Sequence, residues 1–230
     1  MVKSLQKLYE NDEYISNLRH FTERFQSRFM EMATSDADRS VRVATITLLE
    51  AVRERDLLEP EDTDKLSLMI FDPEARIRRA VAATFLACVE GRYEEICEGI
   101  GGSVDEVEEE LGDDRESGEG VPFTWLKFNA LVKTLVKYDA LVDQAEKDDG
   151  EPDPAPLKGF ELGDVEGRIA MAASSIISEM EELQVFFRWV GADFRTGIIW
   201  LCIYCGITRY GLTNGVKAGV SSPRQGTHAP

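Results

Sequence analysis

The stretch that decides the fold runs from residue 36 to residue 85 and reads DADRSVRVATITLLEAVRERDLLEPEDTDKLSLMIFDPEARIRRAVAATF. One pattern occurs in it twice: an acid, then a β-branched residue followed by Arg, then Ala, then a large apolar residue. At a constant offset of 36 residues the pattern pairs Asp36 with Asp72, Val41 with Ile77, Arg42 with Arg78, Ala44 with Ala80 and Leu49 with Phe85. A period between about 20 and 50 residues is typical of repeat architectures, whose neighbouring units bury one another's apolar faces.

Each copy of the pattern follows another helix-like segment. Over 16–33 the apolar residues fall at steps of three and four, which predicts one apolar face of a helix. They are Leu18, Phe21, Phe25, Phe29 and Met32. Pro60 opens a second such segment, and Asp72-Pro73 turns it into the second copy of the pattern. Because the pattern resembles that of HEAT repeats, we predict an all-α, HEAT-type helical-hairpin solenoid fragment with acidic inter-helix loops.

Composition divides the chain into four regions. We assign residues 1–98 to HEAT-like repeats and residues 99–121 to an acidic, Gly-containing loop. Residues 122–190 carry further helices, separated by an acidic, Pro-rich linker over 143–157. The remaining segment, 191–230, has a single acid and accumulates Gly, Ser and Thr, so we predict a divergent, largely disordered tail.

Within the third region, two segments have helical spacing. The first runs over 123–142, and the second is a longer candidate over 164–190 with an apolar stripe. The stripe consists of Ile169, Ala172, Ala173, Ile176, Ile177 and Met180. Both segments extend the all-α prediction beyond the two recognisable repeats.

Charge and composition exclude several function classes. The formal net charge of −17 disfavours approach to nucleic-acid phosphates and to anionic lipid heads, so we expect DNA contact to be weak or indirect. The longest apolar run, 198–207, is about half the length of a membrane-spanning helix, and no secretory signal opens the sequence. We therefore expect an intracellular protein with no membrane contact and with its four cysteines as thiols.

Several blocks of sequence resemble the stromalin (STAG-type) subunits of cohesin. They are LQKLYEN at 5–11, FTERFQSR at 21–28, Glu61-Asp62, and NALVKTLV at 129–136. The resemblance covers roughly residues 5–190, with the acidic insertions as its main departure. It implies a fragment that spans the end of the stromalin conserved region and the HEAT repeats that follow. The end faces of such a fragment imply marginal stability or self-association.

The resemblance also implies a function and a site. Stromalins are non-catalytic, nuclear, chromatin-associated scaffolds that bind the kleisin subunit of cohesin, and they hold short aromatic motifs of regulatory partners in a surface pocket. The Arg-Phe half of that pocket matches Arg24-Phe25, with Phe21 and Arg28 beside it. The aromatic half lies upstream of Met1 in the family, so the pocket would be incomplete. The alternative function is a general HEAT-repeat adaptor unrelated to cohesin.

The residues themselves leave two interpretations of this site open. Phe25 shares the apolar stripe of its helix with Phe21 and Phe29, which favours a place in the core. An exposed ring with Arg24 on its rim would instead receive apolar atoms, while the guanidinium binds a carboxylate or a carbonyl. Burial of the Phe25 ring distinguishes the two interpretations.

Other candidate residues favour structural roles. We predict that Arg42 and Arg78 tie their helices to the turn of a neighbouring repeat by charge-assisted hydrogen bonds. The cluster of Arg76, Arg78 and Arg79 lacks the interleaved aromatics of nucleic-acid surfaces. Cys202 and Cys205 form at most half of a zinc site. With no histidine beside a nucleophile, we expect no catalytic residues, no metal and no cofactor.

Overall fold

The computed structural model describes residues 2–107, 109, 123–147, 165–177, 179 and 180. These residues form helices joined by turns, without strands, which confirms the all-α prediction. The α-helices of this part of the chain are α1 (Val2–Tyr9), α2 (Asp12–Ser35), α3 (Arg39–Arg53), α4 (Pro60–Ser67), α5 (Ala75–Ile100), α6 (Phe123–Lys147) and α7 (Val165–Ile176). A 3-10 turn, Leu68–Phe71, extends α4.

The helices stack in two layers. In one layer α1 packs on α3, α3 on α5, and α5 on α7. In the other layer α2 packs on α4, and α6 follows α4 through contacts with the 3-10 turn. Paired helices α2–α3, α4–α5 and α6–α7 also contact each other across the layers, as in the predicted helical hairpins. We call these the B layer (α1, α3, α5, α7) and the A layer (α2, α4, α6).

Local chemistry explains where these helices begin and end. The side chain of Asn11 accepts a hydrogen bond from Glu13 N at 3.0 Å and caps α2, and Asp38 caps α3 in the same way through Ser40 N at 2.7 Å. Pro60 occupies the first turn of α4, where its missing N–H costs nothing. Gly101, at φ 109°, ends α5 in a left-handed conformation that favours glycine.

The core lies between the layers and is continuous through the stack. Its largest fully buried side chains include Phe71, Phe85 and Tyr138. Phe85 of α5 and Tyr138 of α6 pack with ring centroids 5.6 Å apart, which joins the second hairpin to the third. Each hairpin therefore buries its apolar side chains by packing against a neighbouring hairpin, as the repeat period predicts.

Buried arginines join the units along the B layer. Arg42 donates from Nη2 to Asp72 Oδ2 at 2.7 Å and from Nε to the carbonyl of Ala33 at 3.0 Å. Asp72 is fully buried in the turn of the next unit, so the predicted tie between neighbouring repeats is confirmed at Arg42. Arg78 instead binds the carbonyls of Asp72 and Pro73 in its own turn, each at 2.8 Å, and reaches Ser175 Oγ of α7 at 3.1 Å.

A third arginine shows that the described chain holds three units rather than the two visible by period. Arg168 of α7 makes a buried ion pair with Asp139 of α6, with 2.8 Å between Nη2 and Oδ1. Arg42, Arg78 and Arg168 are each the fourth residue of their helix. The third lies 90 residues after the second, because a long insertion separates the units.

The A layer has its own polar connections. Gln26 of α2 donates to Asp62 Oδ2 of α4 at 2.6 Å. Asp64, two residues further along α4, accepts hydrogen bonds from Lys137 Nζ at 3.2 Å and from the hydroxyl of Tyr138. Burial raises the pKa of Tyr138, and its hydrogen bond to the Asp64 carboxylate raises it further. The phenol is therefore held in its neutral, proton-donating form.

Described helices continue past some of the boundaries that were predicted from composition. Residues 99 and 100 complete α5, and residues 104–107 form a further helical turn, although 99–121 was predicted as a loop. A capping box explains the turn: Ser103 N donates to Glu106 Oε2 at 2.8 Å, and Glu106 N donates to Ser103 Oγ at 3.3 Å. The hydrogen bond from Ser103 lowers the pKa of Glu106, which keeps the capping carboxylate ionised.

Two further boundaries moved. Helix α6 continues through residues 143–147, the start of the predicted linker, because Gln, Ala, Glu and Lys are good helix formers. Helix α7 ends at Ile176, and residues 181–190 of the predicted helical segment lie outside the described residues. After the end of α7, Glu179 N bonds Ile176 O and Met180 N bonds Ile177 O, three residues back, as in a turn. The predicted disordered tail (191–230), with Cys202 and Cys205, lies outside the described residues.

Candidate partner-binding surface

Helix α2 carries the predicted site residues on one side and core residues on another. Its buried side chains are Thr22, Gln26, Phe29, Met30 and Ala33. Thr22 contacts α1, where Tyr9 and Thr22 hydroxyls lie 2.7 Å apart, and Gln26 contacts α4. The side of α2 that faces α1 and α4 is thus occupied by packed neighbours.

The predicted residues form an aromatic and basic strip next to this buried side. The rings of Phe21 and Phe25 lie 4.7 Å apart, and Phe29 continues the series at 6.5 Å from Phe25. The guanidinium carbon of Arg24 lies 5.6 Å from the centroid of Phe25, within cation–π range. Arg28 is exposed and pairs with Glu31 at 2.5 Å. We call Phe21, Arg24, Phe25 and Arg28 the α2 strip.

Burial changes along the aromatic series. Phe29 is buried, Phe21 is half-buried, and Phe25 keeps 37% of its surface exposed. The core interpretation therefore holds for Phe29, whereas the Phe25 ring packs against Phe21 and stays partly exposed. Partner binding by the α2 strip stays a prediction, but its four residues do lie together.

Tyr14 and Leu18 extend the strip and were not predicted as site residues, although Leu18 was assigned to the apolar face of the helix. Tyr14 is 45% exposed, and Leu18 is half-buried between it and Phe21. Tyr14, Leu18, Phe21 and Phe25 follow one another at steps of four, three and four residues, which places them along one line of the helix. That spacing was the available signal, but periodicity alone does not separate a buried stripe from an exposed one.

The arginines at the start of α5 do not form one surface. Arg78 is 8% exposed and committed to the contacts with the turn and with α7. Arg76 and Arg79 remain exposed, and Arg79 donates to the carbonyl of Ala75 in its own helix at 3.3 Å. The basic cluster of the sequence is thus one structural arginine flanked by two solvated ones.

The described residues do not contain a metal site or a membrane-spanning helix. Among them no group of three His, Cys, Asp or Glu side chains is close enough to hold a metal ion. Cys97 is buried, while Cys88 is half-buried with its sulfur 3.4 Å from Ser67 Oγ. No helix in this part of the chain is both long and apolar enough to cross a membrane.

The described helices define an all-α helical-repeat fragment, with the α2 strip as its candidate partner-binding surface. Its relatives have a common role. Over 143 residues the chain is 34% identical to cohesin subunit psc3 of Schizosaccharomyces pombe, a match that covers 59% of this chain and 14% of that protein. It is also 40% identical over 78 residues to sister-chromatid cohesion protein 3 of Arabidopsis thaliana, covering 34% of this chain and 7% of that protein.

These similarities confirm the resemblance of the chain to stromalin-type cohesin subunits over part of its length. The matched region spans only 14% and 7% of the two relatives, so the chain corresponds to a small segment of either. No protein-family model matches the chain, and no solved structure matches it.

Proposed function

We propose that this chain acts as a non-catalytic scaffold segment of cohesin, which binds the kleisin subunit and supports sister-chromatid cohesion. Its similarity to cohesin subunits supports the complex to which it would belong. The same similarity supports a location in the nucleus, associated with chromatin, as part of this proposal. With a net charge of −17, its contact with DNA would be indirect, through the partners that it holds.

One observation carries the choice of binding site. Phe25 is a large aromatic residue that keeps more than a third of its surface exposed while the Arg24 guanidinium lies over its ring. An exposed ring beside a guanidinium combines an aromatic residue with an arginine, and both residue types are enriched at protein interfaces. The α2 strip is therefore the surface that we assign to the kleisin chain or to short aromatic motifs of regulatory partners.

The chemistry of the strip indicates how a partner would be held. The hydrogen-bonding groups of the α2 backbone are engaged within the helix, so recognition must come from its side chains. The Phe25 ring offers apolar area, and Arg24 offers a planar donor for a carboxylate or a backbone carbonyl. Partner residues that combine an apolar group with a nearby acid fit both features.

Calorimetry with an extended kleisin peptide tests the proposal. We expect the double substitution Arg24→Glu/Phe25→Ala to weaken binding by at least about tenfold, the effect of losing about 1.4 kcal/mol at an interface. The matched control is Arg79→Glu/Ile100→Ala, which changes an exposed arginine and an exposed apolar residue on α5. If the control substitutions weaken binding by the same factor, the α2 strip is not the binding site.

The same titration separates the alternative function. A well-folded protein that does not bind any kleisin segment would argue for a general HEAT-repeat adaptor unrelated to cohesin. If neither double variant changes the affinity for the kleisin peptide, the scaffold function stands and the contact lies on another part of the stack.

A further inference from the structure

The part of α2 that carries the α2 strip is held against its neighbours by polar side chains. Over residues 12–28, the buried side chains are those of Thr22 and Gln26, and both are polar. The apolar side chains that pack against the core in this range are only half-buried; they are Ile15, Leu18 and Phe21. The orientation of this part of the helix therefore depends on what Thr22 and Gln26 bind.

These two side chains reach two different helices. The hydroxyl of Thr22 lies 2.7 Å from the hydroxyl of Tyr9 on α1. Gln26 donates from Nε2 to Oδ2 of Asp62, in the first turn of α4, at 2.6 Å. Because the acceptor is a carboxylate, this hydrogen bond is charge-assisted and belongs to the stronger class. Asp62 thus connects α4 to the residue that directly follows Phe25.

The surroundings of this hydrogen bond make it costly to break. Gln26 is 8% exposed, and the side chain of Asp62 is 17% exposed. Lys65 Nζ lies 3.6 Å from the second carboxylate oxygen of Asp62, so cationic and amide donors both hold this group. Removing the acceptor leaves the buried Gln26 amide without a partner, which costs more than the net value of a hydrogen bond.

The direction of Gln26 determines the direction of the two residues before it. Consecutive side chains of an α-helix lie about 100° apart around its axis, so Phe25 points to the side of Gln26 and Arg24 to the far side of the helix. Apolar packing has no required direction, whereas a hydrogen bond does. The bond to Asp62 forms when Gln26 faces α4, and in that orientation Phe25 is 37% exposed.

We propose that Asp62 is a positioning residue for the α2 strip. Through its hydrogen bond with Gln26 it sets the rotation of α2 about its axis, and with it the exposure of Phe25 and the direction of Arg24. Asp62 itself does not touch the partner. Its role rests on the proposed function, because it concerns the same binding surface, and it makes the affinity of that surface depend on a residue of another helix.

Substitutions at both ends of the hydrogen bond test this role by calorimetry with the kleisin peptide. Asp62→Ala removes the acceptor, and Gln26→Met removes the donor while it keeps an unbranched side chain of similar length. We expect each to weaken binding by about threefold to tenfold, the usual value of one hydrogen bond. Asp62→Asn keeps an oxygen that accepts from Gln26, so it should bind within about twofold of the unchanged chain.

The matched control lies on the same helix. Asp64→Ala removes the α4 carboxylate that binds Lys137 and Tyr138 of α6, so it also breaks a connection of the A layer, but not the one to α2. We expect its affinity for the kleisin peptide to stay within about twofold of that of the unchanged chain. If Asp64→Ala weakens binding as much as Asp62→Ala, or if Asp62→Ala does not weaken it, Asp62 does not position the strip.

A measurement without any partner separates this role from the proposed function. In the full chain labelled with 4-fluorophenylalanine, the fluorine resonance of Phe25 is assigned by its loss in Phe25→Leu, and its shift between water and deuterated water measures exposure of the ring. We expect this shift to change in Asp62→Ala and Gln26→Met, but not in Asp62→Asn or Asp64→Ala.

The two results are read independently. If no kleisin peptide binds the unchanged chain, the proposed function is wrong, and the fluorine measurement alone decides whether Asp62 orients Phe25. An unaltered Phe25 resonance in Asp62→Ala would overturn the positioning role even where the kleisin peptide binds at the α2 strip.

Discussion

At the scale of single residues, two ion pairs of similar composition have very different surroundings. Arg42 and Asp72 are buried and join two repeats, whereas Arg39 and Glu74, 3.0 Å apart, join the same two units at the surface. Removing one partner of a buried pair leaves an uncompensated charge, while an exposed pair is screened by water. The two pairs therefore form a natural comparison.

We expect Arg42→Met to lower the free energy of unfolding by about 3–5 kcal/mol, since it leaves the Asp72 carboxylate buried without its cation. Arg39→Met should lower it by at most about 1 kcal/mol. Urea denaturation of the two variants measures both values. Similar losses for the two substitutions would show that burial does not set the strength of these ties.

The phenol of Tyr138 gives the protein a dependence on alkaline pH. Its pKa in the folded state is raised by burial and by Asp64, while in the unfolded chain it stays near 10. The folded state therefore resists deprotonation, and the contribution of Tyr138 to stability is complete below about pH 10 and declines as the pH rises toward the folded-state value.

Tyr138→Phe should consequently flatten the loss of stability above about pH 10. At pH 8 the substitution should cost about 0.5–1.5 kcal/mol, the usual contribution of one hydrogen bond. Unfolding free energies measured at pH 8, 10 and 11 for both proteins give the comparison. Parallel pH profiles for the two would place the alkaline transition at other groups.

At the scale of elements, periodicity located helix α2 and did not locate helix α1. Helix α2 has 24 residues, and its apolar spacing located it within a few residues at each end. Helix α1 has eight, and its position depends on Arg55, which lies about 45 residues further along the chain. Contacts of that kind do not leave a local pattern in the sequence.

The candidate site shows the same limit. The four residues of the α2 strip could be named from sequence because a resemblance selected them and because one helix holds them all. Whether the Phe25 ring is core or surface depends on which sides of α2 are covered by α1 and α4, and that is a property of the stack. The third repeat was hidden for a related reason, since its arginine follows after an insertion.

Helix α5 ends at two glycines with opposite requirements. Gly101 adopts φ 109°, while Gly99 lies within the last helical turn, and neither has an atom near the position of an added Cβ. We expect Gly101→Ala to lower the free energy of unfolding by about 1–2 kcal/mol because of its left-handed conformation. Gly99→Ala should raise it by about 0.5–1 kcal/mol, as for glycine in a helix. Thermal denaturation of both variants tests the contrast of sign.

At the scale of the whole molecule, the described helices of each unit pack mainly against those of neighbouring units, so a local change should destabilise locally. Arg168→Ala removes the buried cation that joins α7 to Asp139 of α6. We expect amide hydrogen exchange to increase by the largest factor in 123–147 and 165–176, while α2 and α3 keep most of their protection. An equal increase along the chain would indicate a single cooperative unit.

The position of the buried arginines gives the stack a mechanical character. Arg42, Arg78 and Arg168 all lie at the fourth residue of their helices, so the buried guanidiniums follow one edge of the stack, whereas the Lys137–Asp64 ion pair of the A layer is partly exposed. The stack should therefore resist separation at the edge that the buried arginines hold. It should bend most easily by opening at the opposite edge.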